Sequence, residues 1–141
     1  MIAYIDASVL LRVALDEPTA LPEWRQIDRG IASALIRTEC LRTLDRLRLQ
    51  QHLPDAQLAH RRATILALID EIEIIELDSV VLERAAHPMP TALGTLDAIH
   101  LASVLLWQEL LQVTPVMATH DTALAVAARA HGLTVIGVPV G

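Results

Sequence analysis

A chain of 141 residues, 53% hydrophobic and 20% charged, suits one well-packed domain rather than a disordered segment. All 11 cationic side chains are arginine, so a P-loop and a Schiff-base enzyme, which both need a lysine, are excluded; the net charge of −6 does not describe local charge. The single cysteine, Cys40, excludes an internal disulfide and a multi-thiolate zinc site within one chain.

Short, mostly β-branched apolar runs alternate along the chain with longer helical patterns. The order predicted is strand 2–5, helix 7–15, strand 30–34, helices 35–51 and 54–69, strand 72–77 and helix 79–86. A turn-rich connection over 87–94 then leads to helix 95–111, strand 115–119, helix 122–131 and strand 133–138. The alternation predicts a single α/β domain over 1–141, a mostly parallel sheet with helices on both faces. In such open sheets, sites form beyond the carboxyl ends of the strands. The apolar stretch 98–107 contains His100 and Ser103 and is too short to span a bilayer, and the N-terminus lacks a secretory pattern. The expected location is therefore cytoplasmic, with no membrane association.

Asp6, Glu39, Asp97 and Asp121 each interrupt an apolar or small-residue stretch. Asp6 ends the run 2–5, Asp121 comes two residues after the run 115–119, and Asp97 opens the very apolar segment 96–111. Each has a structural explanation. Asp6 and Asp121 suit helix N-caps, Asp97 suits the first turn of a helix capped by Thr95, and Glu39 lies three residues before Arg42 at ion-pair spacing. Caps do not explain the joint placement of one acid after the first strand, one on the helix after the second, one on a buried helix and one after a later strand. Carboxylates converging on a cleft raise one another's pKa unless a cation offsets the repulsion.

The segments 4–11, 37–40, 94–103 and 119–124 resemble, in order and spacing, the four acidic motifs of PIN-domain ribonucleases, and within that superfamily the chain is most similar to VapC-type toxins. The stretch 127–136 resembles the family's last helix and strand. The resemblance implies a three-layer α/β/α sandwich whose acids bind Mg²⁺ or Mn²⁺ and cleave RNA. By position, Asp6, Glu39, Asp97 and Asp121 match the catalytic quartet, with Asp6, Asp97 and Asp121 as metal ligands and Ser8 and Thr119 lining the site. A carboxylate set without clustered histidines suits a hard divalent ion better than zinc, in agreement with that implication. The resemblance also implies a cognate VapB-like antitoxin and a homodimer. Two other functions fit the same fold: a PIN-like module that binds RNA or protein without cutting, and a stand-alone metal-dependent nuclease acting on DNA.

RNA requires a cationic surface. Arg37, Arg42 and Arg46, with Arg48, Arg61 and Arg62, fall on two successive predicted helices, whereas 70–83 is acidic without a basic residue. The same arginines also fit a solvated face of local ion pairs. His100, three residues after Asp97, reads as a satisfied buried histidine or a site residue, and His120 beside Asp121 is equally open. Trp24, Trp107 and Tyr4 read as packing residues, too few to form a stacking platform for bases.

Overall fold

Strand β1 (Ile2–Ile5) runs through the middle of the computed structural model, which describes residues 1–141. Ala3, Tyr4 and Ile5 are buried, because the strand has a neighbour on each side and helices over both faces. Its side chains alternate: Ala3 and Ile5 join one core cluster, Tyr4 the other.

After β1 come α1 (Ala7–Ala14), β2 (Arg29–Ser33), α2 (Leu35–Gln51), α3 (Asp55–Asp70), β3 (Glu73–Ile75) and α4 (Ser79–Ala85). The chain continues through α5 (Thr95–Leu111), β4 (Val116–Ala118), α6 (Thr122–Ala130) and β5 (Val135–Ile136). The sheet order is β3-β2-β1-β4-β5 and every pairing is parallel. Tyr4 stands in register with Ile31 on one side and Met117 on the other.

One face of the sheet is covered by α1, α2 and α3, whose Val9, Leu10, Ile36, Leu44 and Ile65 pack on Ala3, Ile5 and Ala32. The opposite face is covered by α4, α5 and α6, with Leu101, Val104, Leu124 and Ala128 packed around Tyr4 and Met117. This is the α/β/α sandwich expected from the alternation. Helix α5 is the most enclosed, with an unbroken buried run from Ala98 to Leu105. Each aliphatic side chain fully buried there contributes roughly 1.5–3 kcal/mol. No helix is long and apolar enough to cross a membrane.

Two local features differ from the sequence expectation. The edge strands β3 and β5 are shorter than predicted, because each pairs on one side only, and β5 ends where Gly137 takes a φ of +100°. At that glycine a Cβ would collide with the carbonyl oxygen of Thr119, so the C-terminal segment lies against the end of β4 only because residue 137 has no side chain. A 3₁₀ turn, Pro22–Gln26, was not predicted; Pro22 at its start fits the fixed φ of a first helical residue.

The chain enters the sheet at β1, builds outward through β2 and β3, then crosses back to place β4 on the other side of β1. The direction of winding reverses between β1 and β4, and in open α/β sheets sites form beyond the carboxyl ends of the strands at such a point. Asp6 and Thr119 immediately follow those two strands.

Candidate active site

Asp6 occupies the N-cap position of α1, yet its side chain caps nothing. Its Oδ2 instead accepts hydrogen bonds from Ser8 Oγ at 2.7 Å and from Thr119 Oγ1 at 2.9 Å. Both donors bind the same oxygen, which fixes the carboxyl group although Asp6 is only 5% exposed. The other oxygen, Oδ1, lies 3.7 Å from His100 Nε2. Ser8 and Thr119 carry the support outward: His120 N–H donates to Ser8 Oγ at 3.0 Å, and Asp121 N–H donates to Thr119 Oγ1 at 3.0 Å.

Asp121 does act as a cap, with Oδ1 accepting from Leu124 N–H at 2.9 Å. Capping uses one oxygen and leaves Oδ2 for other work. Asp97 lies in the first turn of α5, but the cap of that helix is Gly94 without a side-chain bond, so Thr95 is not the expected cap. Burial, together with the charges of Asp121, Asp6 and Glu39, pushes the Asp97 carboxyl up to about 6, and nearby His100 offsets only part of this.

Glu39, on α2, does not form the local pair with Arg42 that its spacing allowed. Its Oε1 lies 2.6 Å from His100 Nε2, and Arg42 pairs with Asp45 at 3.4 Å. His100 is fully buried on α5, and its other nitrogen, Nδ1, is 2.8 Å from Tyr4 Oη. Ser33 N–H donates to the same hydroxyl at 3.2 Å. One placement of protons satisfies every group: Ser33 N–H to Tyr4, Tyr4 O–H to Nδ1, and Nε2–H to Glu39. Burial disfavours a charged His100, but the hydrogen bond and charge of Glu39, with the charges of Asp6 and Asp97, outweigh it and raise its pKa. Burial likewise raises the Tyr4 hydroxyl and, aided by Glu39 and Asp6, pushes the Cys40 thiol up to about 12, so both stay protonated.

The tightest group is thus Asp6, Glu39 and His100, whose potential ligand atoms lie within 4.8 Å of one another. Asp97 and Asp121 stand outside that group and act on it through charge. The donor set fits a hard divalent cation: four carboxyls, of which Asp97 has its ionisation disfavoured by burial and by the charges of the other three, and one oxygen of Asp6 left clear of its two hydroxyl donors. His100 is a satisfied buried histidine, bonded at both nitrogens. Sequence reasoning had not connected Tyr4 with it. The signal available was parity: Tyr4 and Asp6 lie two residues apart where β1 enters the site.

Beside Glu39 a groove of about 340 Å³ is lined by Leu35, Thr38, Arg42, Thr43 and Arg46. Arg37 is exposed on the same helix but outside that lining. Arg46 Nη2 donates to Thr43 Oγ1 at 3.1 Å and has no acidic partner.

The PIN domain family model matches residues 3–130. Ribonuclease VapC46 of Mycobacterium tuberculosis (strain ATCC 25618 / H37Rv) is 32% identical over 136 residues, spanning 94% of this chain and 95% of the relative. The crystal structure of PAE2754 from Pyrobaculum aerophilum superposes with a TM-score of 0.63 at 18% identity, covering 94% of this chain and 82% of that one, a likeness of fold.

Proposed function

The chain belongs to the PIN domain family, and from that premise we propose that it is a divalent-metal-dependent endoribonuclease, the toxin of a VapBC-type pair. The observation that carries the reading is the grouping of Asp6 and Glu39 about His100 beyond the end of β1, with Asp97 near enough that burial, added to by the charges of Asp121, Asp6 and Glu39, raises its carboxyl to about 6. The relative named as a ribonuclease matches nearly end to end.

Asp6, Asp97 and Asp121 would hold Mg²⁺ or Mn²⁺, which when bound supplies an activated water and neutralises charge developing on the phosphate. The protein's own contribution is positional. Ser8 and Thr119 hold one oxygen of Asp6, which fixes the carboxyl group and leaves Oδ1 clear of both hydroxyls. Asp121 is held through its own N–H by Thr119, which ties the two acids to a single hydroxyl. Glu39, bonded to His100 through Oε1, would accept a proton from the attacking water at Oε2, the oxygen that His100 leaves free.

Arg42 and Arg46 line the groove that starts at Glu39 and would carry the RNA backbone toward the acids, with Arg37 adding charge at its margin. A cognate VapB-like antitoxin, a homodimeric state and action in the cytoplasm follow from the same family reading.

Cleavage of RNA and single-stranded DNA titrated with Mg²⁺ and Mn²⁺, run beside Asp6→Ala and Asp97→Asn, tests the proposal. RNA cleavage that needs metal and vanishes in both variants is the expected result. Preferential cutting of DNA, or RNA binding without metal-dependent cutting, would overturn it.

A further inference from the structure

The arginines of α2 serve one approach to the acids only. Every strand is parallel to its neighbours, so all five carboxyl ends lie at one end of the sheet. The groove of Arg42 and Arg46 begins at Leu35, just after β2, on one side of β1; β4 and β5 stand on the other side. Asp6 after β1 and Asp121 after β4 come between. A strand of RNA that crosses the acids from the α2 groove therefore continues toward the end of β5.

A cavity of about 500 Å³ opens there, walled in part by Ile136, Gly137 and Val138 at the carboxyl end of β5 and by His120 after β4. The one arginine on its walls is Arg12 of α1. Arg12 follows Ser8 by four residues, so the two share a helix face, about 6 Å apart along the axis. Helical side chains lean toward the N-terminus of their own helix, which for Arg12 is the direction of Ser8 and Asp6. Ser8 itself bonds the Asp6 carboxylate and the backbone N–H of His120. One face of α1 thus leads from the acid to the arginine.

Arg12 also lies in the last turn of α1, where any cation is favoured by the helix dipole. That explains a positive charge, but not its place on the wall of a cavity at the acidic end of the sheet. Its ion-pair partner, Glu17, is 4.0 Å away with both side chains more than a third exposed, a pairing that leaves the charge largely available. Glu23, the one acid on the cavity walls, opposes a free anion. A phosphate within a chain already held at the acids and at Arg46 needs only one further contact, because the tether raises its local concentration.

We propose that Arg12 is a substrate-positioning residue, contacting a backbone phosphate of the RNA on the β5 side of the scissile bond, opposite the phosphates carried by Arg42 and Arg46. The inference rests on the ribonuclease reading for the scissile bond, but the contact with RNA is testable without cleavage.

Binding of a short, fluorescently labelled single-stranded RNA is followed by anisotropy across salt with Mg²⁺, in Asp97→Asn protein so that the RNA stays intact. Adding Arg12→Ala is expected to weaken binding about tenfold at low salt and to lower the salt slope by about one phosphate contact. Arg12→Lys should restore most of the loss, and Arg12→Gln replaces the alanine variant should that fail to fold. In otherwise unaltered protein, Arg12→Ala should raise KM for cleavage about tenfold. An RNA cut at one position, with its phosphates replaced singly by neutral methylphosphonate, locates the contact. The unaltered protein should lose about tenfold at a phosphate on each side of the cut, Arg12→Ala should be indifferent to one of these and Arg46→Ala to the other. Unchanged affinity and salt slope in folded Arg12→Ala or Arg12→Gln, or indifference of both arginine variants to the same phosphate, would overturn the proposal. RNA binding that depends on Arg12 without any cleavage by the unaltered protein removes the ribonuclease and keeps the contact. Cleavage with KM unchanged in Arg12→Ala removes the contact and keeps the ribonuclease, and no RNA binding at all removes both.

Discussion

His100 Nε2 lies 2.6 Å from Glu39 Oε1 and 3.7 Å from Asp6 Oδ1, so one imidazole on α5 reaches past the end of the sheet to an acid on α2 in the opposite layer. Whether the ring is neutral or charged, Nε2 keeps its proton toward Glu39, because the carboxylate can only accept. The other nitrogen is held by Tyr4, and Tyr4 by the backbone of Ser33, so the position of Glu39 is set from inside the core.

Removing the hydroxyl alone tests this chain of contacts. Tyr4→Phe keeps the ring in its packing and leaves Ser33 N–H and His100 Nδ1 without their partner. The expected cost is about 1–3 kcal/mol in urea unfolding. Turnover should fall on the order of tenfold with KM nearly unchanged, the pattern for an interaction made chiefly in the transition state. Equal turnover in a folded Tyr4→Phe protein would show that the contact serves packing and not the position of Glu39.

Asp97 gives the site a pH dependence whose sign follows from the direction of its shift. Its folded-state pKa of about 6 stands above the ordinary carboxyl value. The folded state therefore binds this proton more tightly than the unfolded chain. Its contribution to stability is complete below the unfolded pKa and is lost as pH rises through about 6. In EDTA, Asp97→Asn is expected to stabilise the protein at pH 7 by on the order of 1 kcal/mol after allowance for solvent screening, and to give no gain at pH 4. Proton and cation compete for the same carboxylate, so the Mg²⁺ concentration needed for cleavage should rise as pH falls below about 6. Thermal unfolding of both proteins across pH, with and without Mg²⁺, checks the sign, and a destabilised Asp97→Asn at pH 7 in EDTA would contradict it.

The layered architecture was legible in the sequence because period-2 and helical patterns do not mix here, and buried parallel strands leave near-continuous apolar runs such as 2–5. Asp6, Asp97 and Asp121 stood out for the same reason, as charges at the ends of strands or inside an apolar helix. Glu39 was harder. Its local neighbour Arg42 offered a sufficient explanation, while its actual partner His100 is 61 residues away and becomes adjacent only when α2 and α5, on opposite faces of the sheet, bring these side chains together past its end. The early end of β5 was equally hidden, since it depends on the close approach of Gly137 to the Thr119 carbonyl.

The groove beside Glu39 separates a binding role from a chemical one. Arg46 has no acidic partner, whereas Arg42 shares Asp45 with Arg48. Arg46→Ala should raise KM for RNA about tenfold at low salt, leave turnover nearly unchanged and lower the salt slope of binding by roughly one phosphate contact. Arg42→Ala should do the same more weakly, because part of its charge is already neutralised. A loss confined to turnover in either variant would place the side chain at the reaction and not along the RNA path.

Gly137 links the C-terminal strand to the acids through a single close approach. At φ +100° an L side chain is strained, and the added methyl of Gly137→Ala would press on the Thr119 carbonyl. The strain alone costs about 1–3 kcal/mol, and the collision adds to it unless β5 moves away from β4. If β5 moves, the acceptor for His120 Nδ1 moves with it, since that acceptor is the Gly137 carbonyl. If β4 yields instead, Thr119 shifts, and with it the hydroxyl that holds both Asp6 and Asp121. Gly137→Ala is therefore expected to lose about 2–4 kcal/mol of stability and, at a temperature where it remains folded, most of its cleavage activity. Full activity in a folded Gly137→Ala protein would show that the end of β4 absorbs the displacement without moving the acids.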